Sequence, residues 1–295
     1  MDMIISALSQ GVIWAVMGLG IYISFRILNA PDMTTEASFT LGAAIGVQMI
    51  HFGLNPILAL LIGFLAGMAA GAITALLVTK LDINPLLSGI ITMTGLYSIN
   101  LKMMGQANLS LSGQETFKTM LSGLALPRNV DTILIGTVVV AIVIALMAYF
   151  FKTDLGQALI ATGDNVHMAR AVGIDSNEMT MLGYMLANGL IAASGLLVAT
   201  DNGYADISMG IGTVVIGLAS IIIGEVIFKN VSLTTRFITI VAGSIIYRLL
   251  LSLVLMLNFN ADDFKLFSAI IVGLCLAIPK LRKSFNRSSR QSRKG

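Results

Sequence analysis

Long apolar runs broken by short polar connections set the pattern of this chain. A spanning helix needs about 20 predominantly apolar residues to cross roughly 30 Å of hydrocarbon with every backbone polar group bonded inside the segment. Such runs lie at 3–25, 56–79, 85–104, 131–151, 178–200, 211–228 and 237–257, and shorter ones at 38–51 and 264–279 bring the expected total to nine. The pattern predicts an all-α integral membrane protein with its polytopic part at 1–279. One segment interrupts it: KTDLGQALIATGDNVHMARAVGIDSN, residues 152–177, too polar to span.

The run at 38–51, SFTLGAAIGVQMIH, is too short to cross unaided, since 14 residues at about 1.5 Å each reach only about 21 Å. It is expected to continue from irregular backbone buried in protein. ISMGIGTVVIGLASIIIG, residues 207–224, is likewise broken by glycine and follows an acid-containing connection. Each is the second element of a four-span group, and the groups enter the membrane from opposite sides. That is the pattern of an inverted repeat, which places a pathway near interrupted helices; glycine-rich helix packing is the other source of such a likeness.

Composition agrees: 56% of residues are hydrophobic and 11% charged, against roughly 25% charged in soluble domains. The tail at 280–295 holds seven of the 18 Lys and Arg and no acid. A basic segment beside a spanning helix marks the cytoplasmic side and touches anionic lipid more simply than it binds nucleic acid. Threading nine spans back from it puts 26–37, 80–84, 152–177 and 229–236 in the cytoplasm, where they and the tail carry 13 Lys or Arg. The outer connections carry only Lys118 and Arg128. The N-terminus is then outside, and MDMIISALSQ, lacking a basic n-region, reads as a retained first helix. Cys275, the single cysteine, allows no disulfide framework.

The chemistry of an enzyme is missing from the pattern. There is no G-x-x-x-x-G-K-[ST], no G-x-S-x-G and no H-E-x-x-H, and His51 and His167 stand isolated. We therefore expect no catalysis, no cofactor and no metal. Ion-coupled carriers or channels for small solutes place ionisable groups inside spans, and two are found: Glu225 near the inner end of one span and Arg248 midway along another. Arg248 either meets an anionic cargo group or lines a wet cavity, or, structurally, bonds backbone carbonyls between helices. The two charges lie at different depths and are not expected to pair.

Within 152–177, Gly163, Asp164 and Asn165 precede VHMARAV and Gly173 follows it, predicting a capped helix of about two turns with a glycine stop. Such a helix is marginal alone and is stabilised by docking. A partner is expected to bury Ala169 and Ala171 with Val166, Met168 and Val172; a simple interfacial helix is the alternative.

DLGQALIATGDNVHMARAVGIDSNEMTMLGYMLANGLIAASGLLVA, residues 154–199, resembles the coupling-loop region of ABC importer permeases of the branched-chain amino acid and ribose type. The matching positions are Gly156, Ala158, Gly163, Asp164, Asn165, Ala169, Gly173 and Ile174, with Arg170 placed at the rim of the contact. GLASIIIGEVIF at 217–228 and TEASFTLGAA at 35–44 are also similar to that family. The resemblance implies a vitamin B12-importer-like (type II) transmembrane fold in a bacterial inner membrane, one helix shorter at the N-terminus than ten-span relatives. It implies a homodimer-like pairing with a second permease copy, a separate pair of ABC ATPase subunits, and an extracytoplasmic binding protein or lipoprotein. The implied cargo is a small solute, on the amino-acid side of the family, aromatic or branched-chain.

Overall fold

The computed structural model describes residues 2–120, 130–229 and 231–256, with a few positions beyond. Asparagine followed by proline opens two of its long helices. Asn55 precedes α3 (Pro56–Thr79) and Asn84 precedes α4 (Pro85–Met104); each side chain accepts the N–H of the second helical residue. Proline at the first position loses no hydrogen bond, because that N–H has no helical partner anyway.

Before these come α1 (Asp2–Tyr22), prolonged by a π-helical segment Ile23–Ile27, and α2 (Thr34–His51). After them come the short α5 (Phe117–Met120), α6 (Val130–Phe150), α7 (Asp154–Asp164), α8 (Val166–Ala171) and α9 (Ser176–Asn202). Helices α10 (Thr213–Ile227) and α11 (Leu233–Met256) complete the described part. Two three-residue strands, β1 (Asn108–Ser110) and β2 (Tyr204–Asp206), pair antiparallel beside the end of α9.

Helix α9 is the central strut, buried along most of its length. Small residues let its neighbours approach to backbone contact, the packing device that lipid favours. A Cβ on Gly42 would stand 1.9 Å from the Ala192 carbonyl oxygen, and one on Gly195 1.9 Å from that of Phe39. Gly42 facing Ala192 and Gly46 facing Leu196 make α2 parallel to α9. Gly67 at Asn188 and Gly71 at Tyr184 make α3 antiparallel to it. So is α1, whose Gly20 meets Ala187 and Ile191 and whose Ile13 carbonyl accepts the Ser194 hydroxyl.

The two ends of the bundle differ in charge. Arg26, Lys152 and Arg236 cluster at one end, where Gly163 packs on Ile27 and Phe151 on Phe237. Asp201 and Asp206 mark the other, where α9 ends.

Among the described residues eight helices lie at eight of the nine expected runs, and five of them are long and apolar enough on their own to cross a membrane. The expected span at 264–279, Cys275 and the tail at 280–295 lie outside the described residues. The stretch 26–37, expected as a cytoplasmic loop, is mostly not one. Arg26 still belongs to the end of α1, residues 28–33 turn back among the helices, and Thr34 is already helical.

Candidate functional site

The turn at 28–33 carries a carboxylate to the middle of the bundle. Asp32 is fully buried and accepts hydrogen bonds from Asn188 Nδ2 at 2.7 Å and from the Thr34 N–H at 2.9 Å. Asn188 Oδ1 accepts the Ser38 hydroxyl at 2.7 Å. Asn188 lies twelve residues after the start of α9 and fourteen before its end, so α2 begins at about half height. The Tyr184 hydroxyl nearby and the Asn100 side-chain oxygen are buried without a hydrogen-bond partner among the described residues.

Helix α10 begins at the same level. Gly212, with φ +85°, caps it, and its N–H donates to Glu36 Oε1 at 2.9 Å. Gly210 packs so tightly on α2 that a Cβ would fall 1.9 Å from the Glu36 carbonyl oxygen. From this meeting point α2 runs to the acidic end and α10 to the basic end, where Glu225 is found. Two short helices therefore start nose to nose inside the bundle. The sequence pattern located both interruptions but not their contact, and it passed over Asp32 and Glu36, which sit one helical turn apart in a stretch read as loop.

Glu225 holds three helices at the basic end. It takes the Arg26 guanidinium through Nε at 2.9 Å and lies 3.9 Å from Arg236. Arg248 is far from it, stacked 4.1 Å over the Trp14 ring, with its Nε buried and without a hydrogen-bond partner among the described residues. The expectation that these two charges do not pair agrees with the geometry. At the acidic end Asp201 joins α1, α5 and α6 to α9 by accepting from Gln10, from Lys118 at 2.8 Å and from Thr132 at 2.9 Å.

Residues 152–177 form two helices rather than one. Thr153 caps α7, a helix absent from the expected pattern; Asn165 caps α8 by accepting the Met168 N–H at 3.0 Å. Gly173, with φ +87°, ends it, and the Ile174 N–H closes back on the Ala169 carbonyl. Gly156 packs on the backbone of Phe150 and Phe151, and Gly163 on that of Ile27 and Leu28. These glycines seat the segment on its own bundle.

Ala169 differs from expectation. It is 1% exposed, turned inward, whereas Met168 and Val172 are 68% and 69% exposed and Val166 and Ala171 also face outward. The sequence grouped Ala169 with its outward neighbours because nothing in a six-residue helix says which face its own protein covers. Asp164 is exposed at the end of α7, and Arg170 is tied back to α9 through Ser176 at 2.6 Å and Asn177 at 3.3 Å.

Residues 3–278 match the family described as branched-chain amino acid transport system / permease component. A tyrosine transport system permease protein of Clostridioides difficile (strain R20291) is 39% identical over 98% of this chain and 95% of its own. An autoinducer 2 import system permease protein of Yersinia enterocolitica is 25% identical over 90% of this chain and 71% of its own. Among solved structures, PsaBC from Streptococcus pneumoniae in complex with Fab superimposes with a TM-score of 0.52 at 16% identity, covering 92% of this chain and 89% of that one, a likeness of fold. The helix bundle with its two interrupted helices thus belongs to a multi-pass transport permease, and the chain is a member of the branched-chain amino acid transport system permease component family.

Proposed function

We propose that this permease forms the translocation pathway of an ABC importer for an amino acid, aromatic or branched-chain. The observation that carries the substrate class is the 39% identity, spread over nearly the whole length, to a protein named as a tyrosine transport permease. Membership of the family also weighs against an ion-coupled carrier or channel.

In this reading the basic end faces the cytoplasm, since Lys and Arg concentrate there. A separate pair of ABC ATPase subunits docks on the segment at 152–177, meeting the exposed Met168 and Val172 of α8 while Gly156, Gly163, Asp164, Asn165, Ala169, Arg170, Gly173 and Ile174 shape and seat it. A second permease copy completes the pathway, and an extracytoplasmic binding protein or lipoprotein delivers the cargo at the acidic end. The driving force is then hydrolysis by the ATPase, transmitted through α7 and α8 to α1 and α9, on which they pack.

The test is uptake by cells or proteoliposomes holding the permease with the ATPase and binding protein of its own operon. Labelled tyrosine, leucine and a pentose would be offered in turn. ATP-dependent entry of an amino acid supports the proposal; uptake that survives ATP depletion, or entry of the pentose alone, refutes it.

A further inference from the structure

The meeting of α2 and α10 leaves one group unexplained. Glu36 is partly exposed, while Thr34, Thr35, Ala37 and Ser38 around it are buried. Its Oε1 accepts the Gly212 N–H, and Oε2 has no hydrogen-bond partner among the described residues. None of the ion pairs among the described residues includes it: Arg26 and Arg236 go to Glu225, and Lys118 to Asp201.

Its depth makes this exposure informative. Ser38, half a turn further on, bonds Asn188 at the middle of α9, so Glu36 opens to the surface of the subunit near mid-membrane. A carboxylate there is costly against hydrocarbon, and such groups face a wet route or another protein surface. The positive ends of α2 and α10 offset part of the cost. Met33 lies three residues before it in the chain, and the exposed Ile211 adjoins Gly212, whose N–H Glu36 accepts.

We infer that Glu36 is the pathway group that receives the ammonium of the cargo, its free oxygen accepting an N–H. The inference rests on the proposed amino-acid importer. A monovalent ammonium fits better than a hard divalent cation, which takes six or more oxygen ligands; no group of three acidic or histidine side chains that could hold a metal is found among the described residues. A purely structural cap would need only the acceptor that faces Gly212, not the charge.

Glu36→Gln separates the two, because its amide oxygen still accepts the Gly212 N–H. The assembled importer is assayed for tyrosine uptake and for thermal unfolding of the permease. The expected result is at least about a tenfold fall in maximal uptake rate, equal to 1.4 kcal/mol, with half-saturation and unfolding temperature unchanged. Glu36→Asp, which keeps the charge, is expected to recover part of the rate. Unchanged uptake in Glu36→Gln overturns the inference, and so does a loss that tracks a lower unfolding temperature. If the unaltered importer moves a sugar and no amino acid, the proposed function fails first and takes this inference with it.

Discussion

Asn188 reaches across the bundle to donate a 2.7 Å hydrogen bond to Asp32, fixing the place where the chain turns back at half height. Asn188 also accepts from Ser38, so one amide ties the turn and the first helical turn of α2 to the middle of α9. The interruption is thereby a defined structure, with the Asp32 carboxylate and the Thr34 N–H paired inside the protein.

The first prediction follows from the hydrogen bonds of that turn. Asp32→Ala removes the acceptor of the Asn188 amide and of the Thr34 N–H, and each buried donor left unpaired costs about 1–3 kcal/mol. The detergent-solubilised variant should therefore unfold at a lower temperature than the unaltered permease. An unchanged unfolding temperature would show that the turn does not depend on Asp32.

The close approach of α2 and α9 gives a second. Alanine at Gly42 or Gly195 puts a methyl 1.9 Å from a backbone carbonyl oxygen, so the helices must separate. Overpacking of this kind costs about 1–3 kcal/mol. Gly95, in α4, has nothing within 4 Å of its virtual Cβ, and Gly95→Ala should be neutral or stabilise by up to about 1 kcal/mol. Thermal unfolding of the three variants measures the contrast, which vanishes if the α2 and α9 contact is looser than described.

The third concerns the proposed ATPase contact. Met168→Asp or Val172→Asp places a charge on an apolar surface that faces away from the bundle. If that surface docks in the ATPase, the loss should reach about 2 kcal/mol, roughly thirtyfold in affinity, at unchanged permease stability. Ala169→Asp should instead destabilise the permease itself, by burying a charge. Co-purification of the ATPase and the unfolding temperature separate the two effects; full retention of the ATPase by both surface variants would place the contact elsewhere.

What the sequence displayed was periodicity and punctuation. The spans, the Asn165 cap and the Gly173 stop were legible because each depends on residues close together in the chain. The side of α8 that its own protein covers was not, since six residues are too few for a period to mark the face that carries Ala169. Asp32 and Glu36 were passed over for a related reason. Beside residues 38–51 they read as a loop before a short apolar run, and their depth is set by Asn188 and Gly212, more than 150 residues away. Glu225 and Arg248 were noticed because charge inside an apolar run stands out, whereas their partners Arg26 and Trp14 carried no local sign of the role.

Arg248 offers the last test, between the two readings its sequence left open. Its guanidinium lies 4.1 Å over Trp14, whose Nε1 donates to Gln10 at 3.1 Å, and Gln10 in turn donates to Asp201. A desolvated stack of this kind contributes about 2 kcal/mol, and a lysine ammonium cannot reproduce its planar overlap. Arg248→Lys should therefore lower the unfolding temperature, as should Trp14→Leu, and the double variant should lose less than the sum because both remove the same contact. Arg248→Met fills the stem's volume and deletes the buried Nε together with the charge, a replacement that is often neutral for buried ions. With a structural role, Arg248→Met loses no more stability than Arg248→Lys, because it also removes the desolvated charge, and it keeps uptake. A collapse of uptake at unchanged stability would instead put the guanidinium on the cargo's route.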